Sequence, residues 1–366
     1  MPAPPVLRPH PEQTYAHELQ VLAKADTAAR PPNWRLSPRA VVDYLMGGEV
    51  AGEEIAPKYI GDRRLVEVAV ATLTTQRGLL LAGVPGTAKT WVSEHLAAAI
   101  SGDSTLLVQG TAGLNEDALR YGWNYASLIS KGPSREALVP SPVMEAMRRG
   151  SIVRVEELTR VPSEVQDSLI TILSEKTLPV PELSTEIQAV PGFNLIATAN
   201  ERDRGVHELS TALRRRFNTV VLPAPATLEE EIRIVRARAS VGDARATLAK
   251  ADTAAEIERL VTVFRELRGG RTLEGDQKVQ PTSAGLSTAE AISVVENAVS
   301  LARHFGDGRP TIRDLAPSLR GAVVRDAERD GAAWRSYVEG VLRQRTGAWR
   351  AWYETLTEFG PGDADD

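Results

Sequence analysis

Gly78-Leu79-Leu80-Leu81-Ala82-Gly83-Val84-Pro85-Gly86-Thr87-Ala88-Lys89-Thr90-Trp91 is the stretch that decides the fold. A short apolar strand runs into a glycine-rich turn, and a helical segment follows from Trp91 to Ile100. Strand, turn and helix N-terminus together make a phosphate-binding loop, because the backbone N–H groups of the turn converge on one point where the helix dipole adds positive potential. Gly83, Val84, Pro85, Gly86, Thr87 and Ala88 would cradle phosphates. Lys89 would reach the β and γ oxygens as a point charge, and the Thr90 hydroxyl would meet Mg²⁺. The strict pattern has Gly before the lysine and this chain has Ala88. The extra methyl is compatible with phosphate approach where the local backbone is helical. A glycine turn beside a surface lysine is the plainer alternative, and the flanking strand and helix count against it.

Outward from this loop, short runs rich in Leu, Val and Ile recur at Leu106–Gln109, Ile152–Val155, Asn194–Ala199 and Thr219–Leu222, with helical patterns such as Ser163–Ser174 between them. Buried parallel strands joined by crossover helices read this way, which predicts an α/β sheet covered on both faces. Ser37-Pro38 opens an earlier helix that Gly47-Gly48 stops, and another spans about Asp62 to Thr75. After Pro223-Ala224-Pro225 the strand runs cease, and Glu229–Ala239, Ala254–Arg268, Thr288–Phe305 and Ile312–Glu328 all read as helices. The expected organisation is a loosely ordered extension over 1–33, with one short helix from Gln13 to Lys24, and a nucleotide-binding α/β domain over 34–223. A helical lid over 224–325 and an aromatic helical tail over 326–366 complete it.

Composition narrows the chemistry. The 366 residues contain no cysteine, which excludes a thiol nucleophile and thiolate-held metals. The net charge of −5 disfavours a surface built around a nucleic-acid backbone. No apolar run reaches the ~18–20 residues of a membrane helix, and Met1-Pro2-Ala3-Pro4-Pro5 lacks a signal-peptide plan. A cytoplasmic location without membrane attachment is the expectation. The five histidines, His10, His17, His95, His207 and His304, show no metal-ligand spacing.

Two further strand ends carry polar groups. Ser151-Ile152-Val153-Arg154-Val155-Glu156-Glu157 ends in paired carboxylates about 65 residues after the phosphate loop. In a phosphate-loop ATPase the first, Glu156, helps hold Mg²⁺ and the second, Glu157, orients and deprotonates the attacking water. Phe193–Asn200 ends in an amide that can hold that water, although an Asn that merely starts a turn is common. Arg214-Arg215-Arg216 cannot all serve one nucleotide, and one of them is a candidate finger toward a neighbouring subunit.

These four elements, in this order and spacing, resemble the AAA+ ATPases, and more closely the MoxR-type group near the gas-vesicle, Rubisco-activase-like and nitric-oxide-reductase-activating members. The resemblance covers about Ala56 to Arg320. Tyr59-Ile60-Gly61 resembles the adenine-side motif, and Gln109-Gly110-Thr111-Ala112-Gly113 the segment after the second strand. Pro142–Gly150 and Leu158-Thr159-Arg160-Val161-Pro162 followed by Gln166 are similar to this group as well. The resemblance implies an α/β phosphate-loop core with a five-stranded parallel sheet and a helical lid. It assigns Lys89 and Thr90 to Walker A, Glu156 and Glu157 to Walker B, Asn200 to sensor 1, and Arg216 to the arginine finger with Arg215 as fallback. Tyr59, Ile60, Gly61 and Trp91 would border the nucleotide, Trp91 also reading as core packing. ATP and Mg²⁺ are the implied cofactors, and a hexameric ring the implied assembly. A client protein, in many relatives one with a von Willebrand factor A domain, is the implied partner.

The resemblance also places a helix-2 insert at Gly122–Arg135 and a hairpin at Lys176–Pro191. Two positions depart from it: Glu156 stands where Asp is usual, and Ala289 stands where the lid of relatives carries the sensor 2 arginine. The resulting expectation is a Mg²⁺- and ATP-dependent ring ATPase that remodels or matures a partner. Its rivals are a nucleotide-gated assembly scaffold with little hydrolysis, and a DNA-acting motor that the acidic balance disfavours.

Overall fold

The computed structural model describes residues 6–200, 207–239, 254–275 and 277–358. They divide into two compact units, one ending at Pro223 and the other starting at Ala224, with the loop residues Pro85–Thr87 grouped with the second.

The first unit is built on a parallel sheet of five strands: β1 (Gly78–Gly83), β2 (Leu107–Gln109), β3 (Ile152–Glu156), β4 (Asn194–Asn200) and β5 (Phe217–Val221). Their order is β5-β1-β4-β3-β2, and every neighbouring pair is parallel. Successive side chains of a strand point to opposite faces, and both faces here are covered. Leu79, Leu81, Ile152, Ile196 and Val220 pack on one side with the helices Pro38–Met46, Arg63–Leu73 and Lys89–Ser101. Leu80, Val153, Val155, Leu195 and Ala197 pack on the other side with Val143, Met144 and Met147 of the helix Pro142–Arg149. Near-continuous apolar runs are the sequence trace of this arrangement. The four helices are designated α2, α3, α4 and α5 in chain order, after α1 (Ala16–Ala25); the shorter helices keep their residue numbers. Pro at the first turn and a Ser37 cap on the Ala40 N–H start α2, Asp62 caps α3, and Ser141 caps α5.

Residues 6–33 contain the helix expected over Gln13–Lys24, found as Ala16–Ala25, and correct only the expectation that the segment around it is loose. Pro11–Thr14 and α1 are helical, with Leu22 buried in the core. Three carboxylates fasten them: Glu12 accepts from the backbone N–H and hydroxyl of Ser104, Glu18 pairs with the buried Lys58 amine, and Asp26 accepts from the N–H and hydroxyl of Ser37. The Lys58 amine also lies over the rings of Tyr15 and Tyr44, at 4.3 and 4.6 Å. Within the insert, Tyr121–Trp123 pairs antiparallel with Leu138–Pro140, and the helix Tyr125–Lys131 lies between them. Thr177–Val180 and Thr185–Gln188 form the second hairpin.

The second unit contains the helices α6 (Leu228–Ala239), α7 (Ala254–Gly269), α8 (Thr288–Phe305), α9 (Ile312–Val323), α10 (Ala327–Gly340) and α11 (Trp349–Glu358). The helix expected over Ile312–Glu328 ends at Val323. The tail is no separate layer: Trp334, Tyr337, Trp352 and Leu356 share one core with Phe264, Val294 and Leu315. The Trp352 indole N–H donates to Glu256, which joins α11 to α7. Among the described residues no helix is long and apolar enough to cross a membrane.

Candidate functional site

Parallel strands deliver their carboxyl ends to one edge of the sheet, where ligands of open α/β folds bind. Gly83 ends β1, Glu156 ends β3 and Asn200 ends β4, and Asn200 stands opposite Gly83 in the register. The phosphate loop leaves Gly83 at this edge and returns as α4. Ala88 caps α4 with φ 62 and ψ 21, in the left-handed region. The local backbone at Ala88 is therefore not right-handed helix, as the sequence reading required for tolerance of its methyl. A non-glycine residue there carries strain of roughly 1–2 kcal/mol. The left-handed turn next to the helix start is also what aims successive N–H groups into one anion-binding concavity.

Lys89 is buried, and its amine donates to the carbonyls of Gly83 and Val84 at 2.9 and 2.8 Å. The Thr90 hydroxyl donates to Glu156 Oε2 at 2.8 Å, and the Thr198 hydroxyl of β4 donates to the same oxygen at 2.7 Å. Ser93, one helical turn after Thr90, places its hydroxyl on Glu156 Oε1. Arg154, two residues before Glu156 and on the same face of β3, donates to Oε1 at 2.9 Å. Arg154 and Glu156 are 3% and 1% exposed. Thr90 thus spends its proton on Glu156 and keeps its oxygen lone pairs for another partner, the arrangement a Mg²⁺ ligand needs beside a phosphate loop. The donor set fits Mg²⁺ through Thr90, with Glu156 holding that hydroxyl in place.

Glu157 follows in the left-handed region at φ 53, and its N–H donates to the Thr198 hydroxyl at 2.9 Å. Its carboxylate accepts from Arg160 Nε at 2.8 Å. Gly110 lies against this turn: its N–H donates to the Glu156 carbonyl at 2.7 Å, and a Cβ there would sit 2.4 Å from the Glu157 carbonyl oxygen. Only glycine fits, so the segment after β2 is pressed onto the acidic turn. On the other side of α4, the Trp91 indole donates to the Lys58 carbonyl at 3.0 Å, and its ring lies 4.3 Å from that of His95. Tyr59 is buried, and a Cβ at Gly61 would strike its hydroxyl at 2.8 Å and its ring at 2.9 Å. Trp91 joins α4 to the Tyr59-Ile60-Gly61 segment.

Lys89, Thr90, Glu156, Glu157 and Asn200 gather at one edge. Arg216 does not. Its carbonyl accepts from the Gly78 N–H at the amino end of β1, and six strand residues separate that end from the loop, about 20 Å at ~3.3 Å per residue. Its guanidinium donates to the Ser174 hydroxyl at 2.8 Å and the Ala212 carbonyl at 2.6 Å. Arg215 beside it is exposed. In the second unit Ala289 occupies the first turn of α8, and the adjacent Glu290 pairs with Arg325. Sequence reasoning missed Arg154, Ser93 and Thr198. The signals available were an arginine inside an apolar strand at period two from Glu156, and a serine three residues after Thr90 on the same helix face. Thr198 needed the strand order. Among the described residues no cluster of three or more His, Cys, Asp or Glu is arranged to hold a metal by itself.

Residues 78–217 match the AAA domain (dynein-related subfamily), and residues 229–360 match the YehL-like AAA+ ATPase C-terminal domain. The uncharacterized protein YehL of Escherichia coli (strain K12) is 42% identical over 356 residues, spanning 95% of this chain and 96% of that protein. The uncharacterized protein SH1500 of Staphylococcus haemolyticus is 30% identical over 166 residues, 44% of this chain and 62% of that one. Among solved structures, NtrX from Brucella abortus aligns over 87% of this chain and 70% of its own, at 14% identity and a TM-score of 0.48.

Proposed function

The chain belongs to the YehL-like AAA+ ATPase family, and from that premise we propose that it is a Mg²⁺-dependent ATP hydrolase of MoxR-type character that works as a ring. In this reading it remodels or matures a client protein. The carrying observation is the hydroxyl–carboxylate node: Thr90 of the phosphate loop and Thr198 of the sensor strand meet on Glu156, with Lys89 beside them and Asn200 two residues further along β4. The Lys89 amine exchanges its two loop carbonyls for phosphate oxygens. Mg²⁺, held through the Thr90 hydroxyl, would supply positive charge beside the phosphates. Glu157 takes the proton of the attacking water, and Asn200 orients that water.

The position of Arg216 at the far edge supports action on a neighbouring subunit's nucleotide, because its own chain's loop is beyond its reach. Arg215, exposed beside it, is the second candidate for that role. Ring assembly, a client with a von Willebrand factor A domain, and a cytoplasmic setting belong to the same reading.

A second reading, a nucleotide-gated scaffold, draws on the Glu157–Arg160 pair, which engages the general base with a cation of its own chain. One experiment separates them. Glu157→Gln is expected to bind ATP at parental affinity while turnover drops by about 10²–10⁴-fold, the usual worth of a general base. Turnover at the parental rate in the variant removes Glu157 from the mechanism. Negligible turnover in the parent, alone and with clients, selects the scaffold.

A further inference from the structure

We propose that Arg154 sets how much divalent cation the nucleotide site requires, a positioning role that rests on the Mg²⁺–ATP reading above. A carboxylate offers about four lone-pair directions. In Glu156 all four are in use: Arg154 and Ser93 on Oε1, Thr90 and Thr198 on Oε2. A cation at Thr90 therefore meets Glu156 through the threonine hydroxyl and finds no free carboxylate oxygen. The Glu156 charge is also already balanced, because the Arg154 guanidinium is buried against it.

Arg154 is held in that position from three further directions. Its Nε donates to Ser93 Oγ at 3.1 Å, Nη1 to the Ser104 carbonyl at 3.1 Å, and Nη2 to the Thr90 carbonyl at 3.4 Å. The guanidinium thus bridges β3, α4 and the segment after α4, and it cannot swing away when a nucleotide arrives. The longer side chain of Glu156 suits the same purpose, since its carboxylate touches Arg154 and Ser93 on one oxygen while presenting the other to Thr90. The buried pair has a net charge of zero, so a nearby divalent ion meets no uncompensated charge from it until one partner is neutralised.

Changing that charge by one unit in either direction gives opposite expectations, which a purely structural role does not. Binding of a fluorescent, non-hydrolysable ATP analogue is measured against free Mg²⁺, and the concentration at half-maximal binding is read. Arg154→Met leaves a net charge of −1 and lowers that concentration about tenfold. Glu156→Gln leaves +1 and raises it about tenfold. The double variant restores neutrality and returns to within about threefold of the parent. If Arg154→Met does not fold, the step from Glu156→Gln to the double variant isolates the same guanidinium in a site without a buried anion. The proposal is overturned if Arg154→Met folds and needs as much Mg²⁺ as the parent or more. It is equally overturned if the double variant is no better than Glu156→Gln. A parent chain that binds no analogue at any Mg²⁺ concentration refutes the nucleotide reading instead.

Discussion

Glu156 in the α/β unit and Glu231 in the helical unit are both buried glutamates held by arginine and threonine, yet they do different work. Glu231 is fully buried, and accepts from Arg265 and Arg268 at 2.8 Å each and from the Thr288 hydroxyl at 2.8 Å. Its two arginines spend their remaining donors on the carbonyls of Pro225, Ala226, Thr227 and Leu286. Every partner of Glu231 joins one structural segment to another: α6, α7, the start of α8 and the chain before α6. Glu156 has a similar set of donors, but one of them, Thr90, belongs to the phosphate loop. The chemistry is the same. What turns a structural knot into a candidate site is that one donor stands on a ligand-binding turn and keeps lone pairs to offer.

The comparison breaks most easily at Glu231. Glu231→Ala leaves two partly buried guanidiniums without their shared carboxylate, and a cost of up to about 3–5 kcal/mol follows from the loss of that partner. Chemical denaturation should show the loss directly; a change under about 1 kcal/mol would mean the knot is incidental to the fold.

A smaller effect comes from Asp330, another fully buried carboxylate junction of that unit. Burial by itself would raise its pKa, but hydrogen bonds from Ser283, Asp326 and Arg325 outweigh it and hold the carboxyl at about 2, against an ordinary 3.8. A folded-state pKa below the unfolded one contributes stability that is present above about pH 4 and is lost as pH falls toward 2. Thermal unfolding followed from pH 5 to 2 should show this loss, and Asp330→Asn should flatten it. An unchanged pH profile in Asp330→Asn would remove this carboxylate from the account.

The smallest effect sharpens the other side of the comparison. Ala88→Gly relieves a left-handed non-glycine residue and should stabilise the chain by up to about 1 kcal/mol. A melting temperature that falls instead would show that the loop gains more from alanine's restricted unfolded state than it loses to strain.

Much of this was legible in the residues alone. The five strands, the phosphate loop and the helix starts at Pro38, Arg63 and Thr288 are local: apolar runs, a glycine pattern and capping residues within a few positions of each other. The N-terminal segment was misread because its anchors are remote. Glu12 meets Ser104 and Glu18 meets Lys58, partners 92 and 40 residues away, and a Pro- and Ala-rich composition says nothing of them. Arg154 was passed over because its spacing from Glu156 leaves open whether that face of the strand is buried, and the contacts to Ser93, Thr90 and Ser104 exist only once α4 is laid across it.

The sequence by itself determined which chemistry is available: a lysine and a threonine at a phosphate loop, two carboxylates and an amide at strand ends, and arginines before the last strand. These are matters of residue type and short-range spacing, which chain connectivity preserves. The tertiary structure alone decided which of them meet. Strand order β5-β1-β4-β3-β2 brings Thr198 to Glu156, and the parallel pairing of β5 with β1 leaves Arg216 at the opposite edge. The packing of α4 on β3 turns Arg154 and Ser93 toward one carboxylate. Charge pairing and hydrogen bonding act over a few ångströms in space, so their partners are set by how the strands and helices assemble and not by distance along the chain.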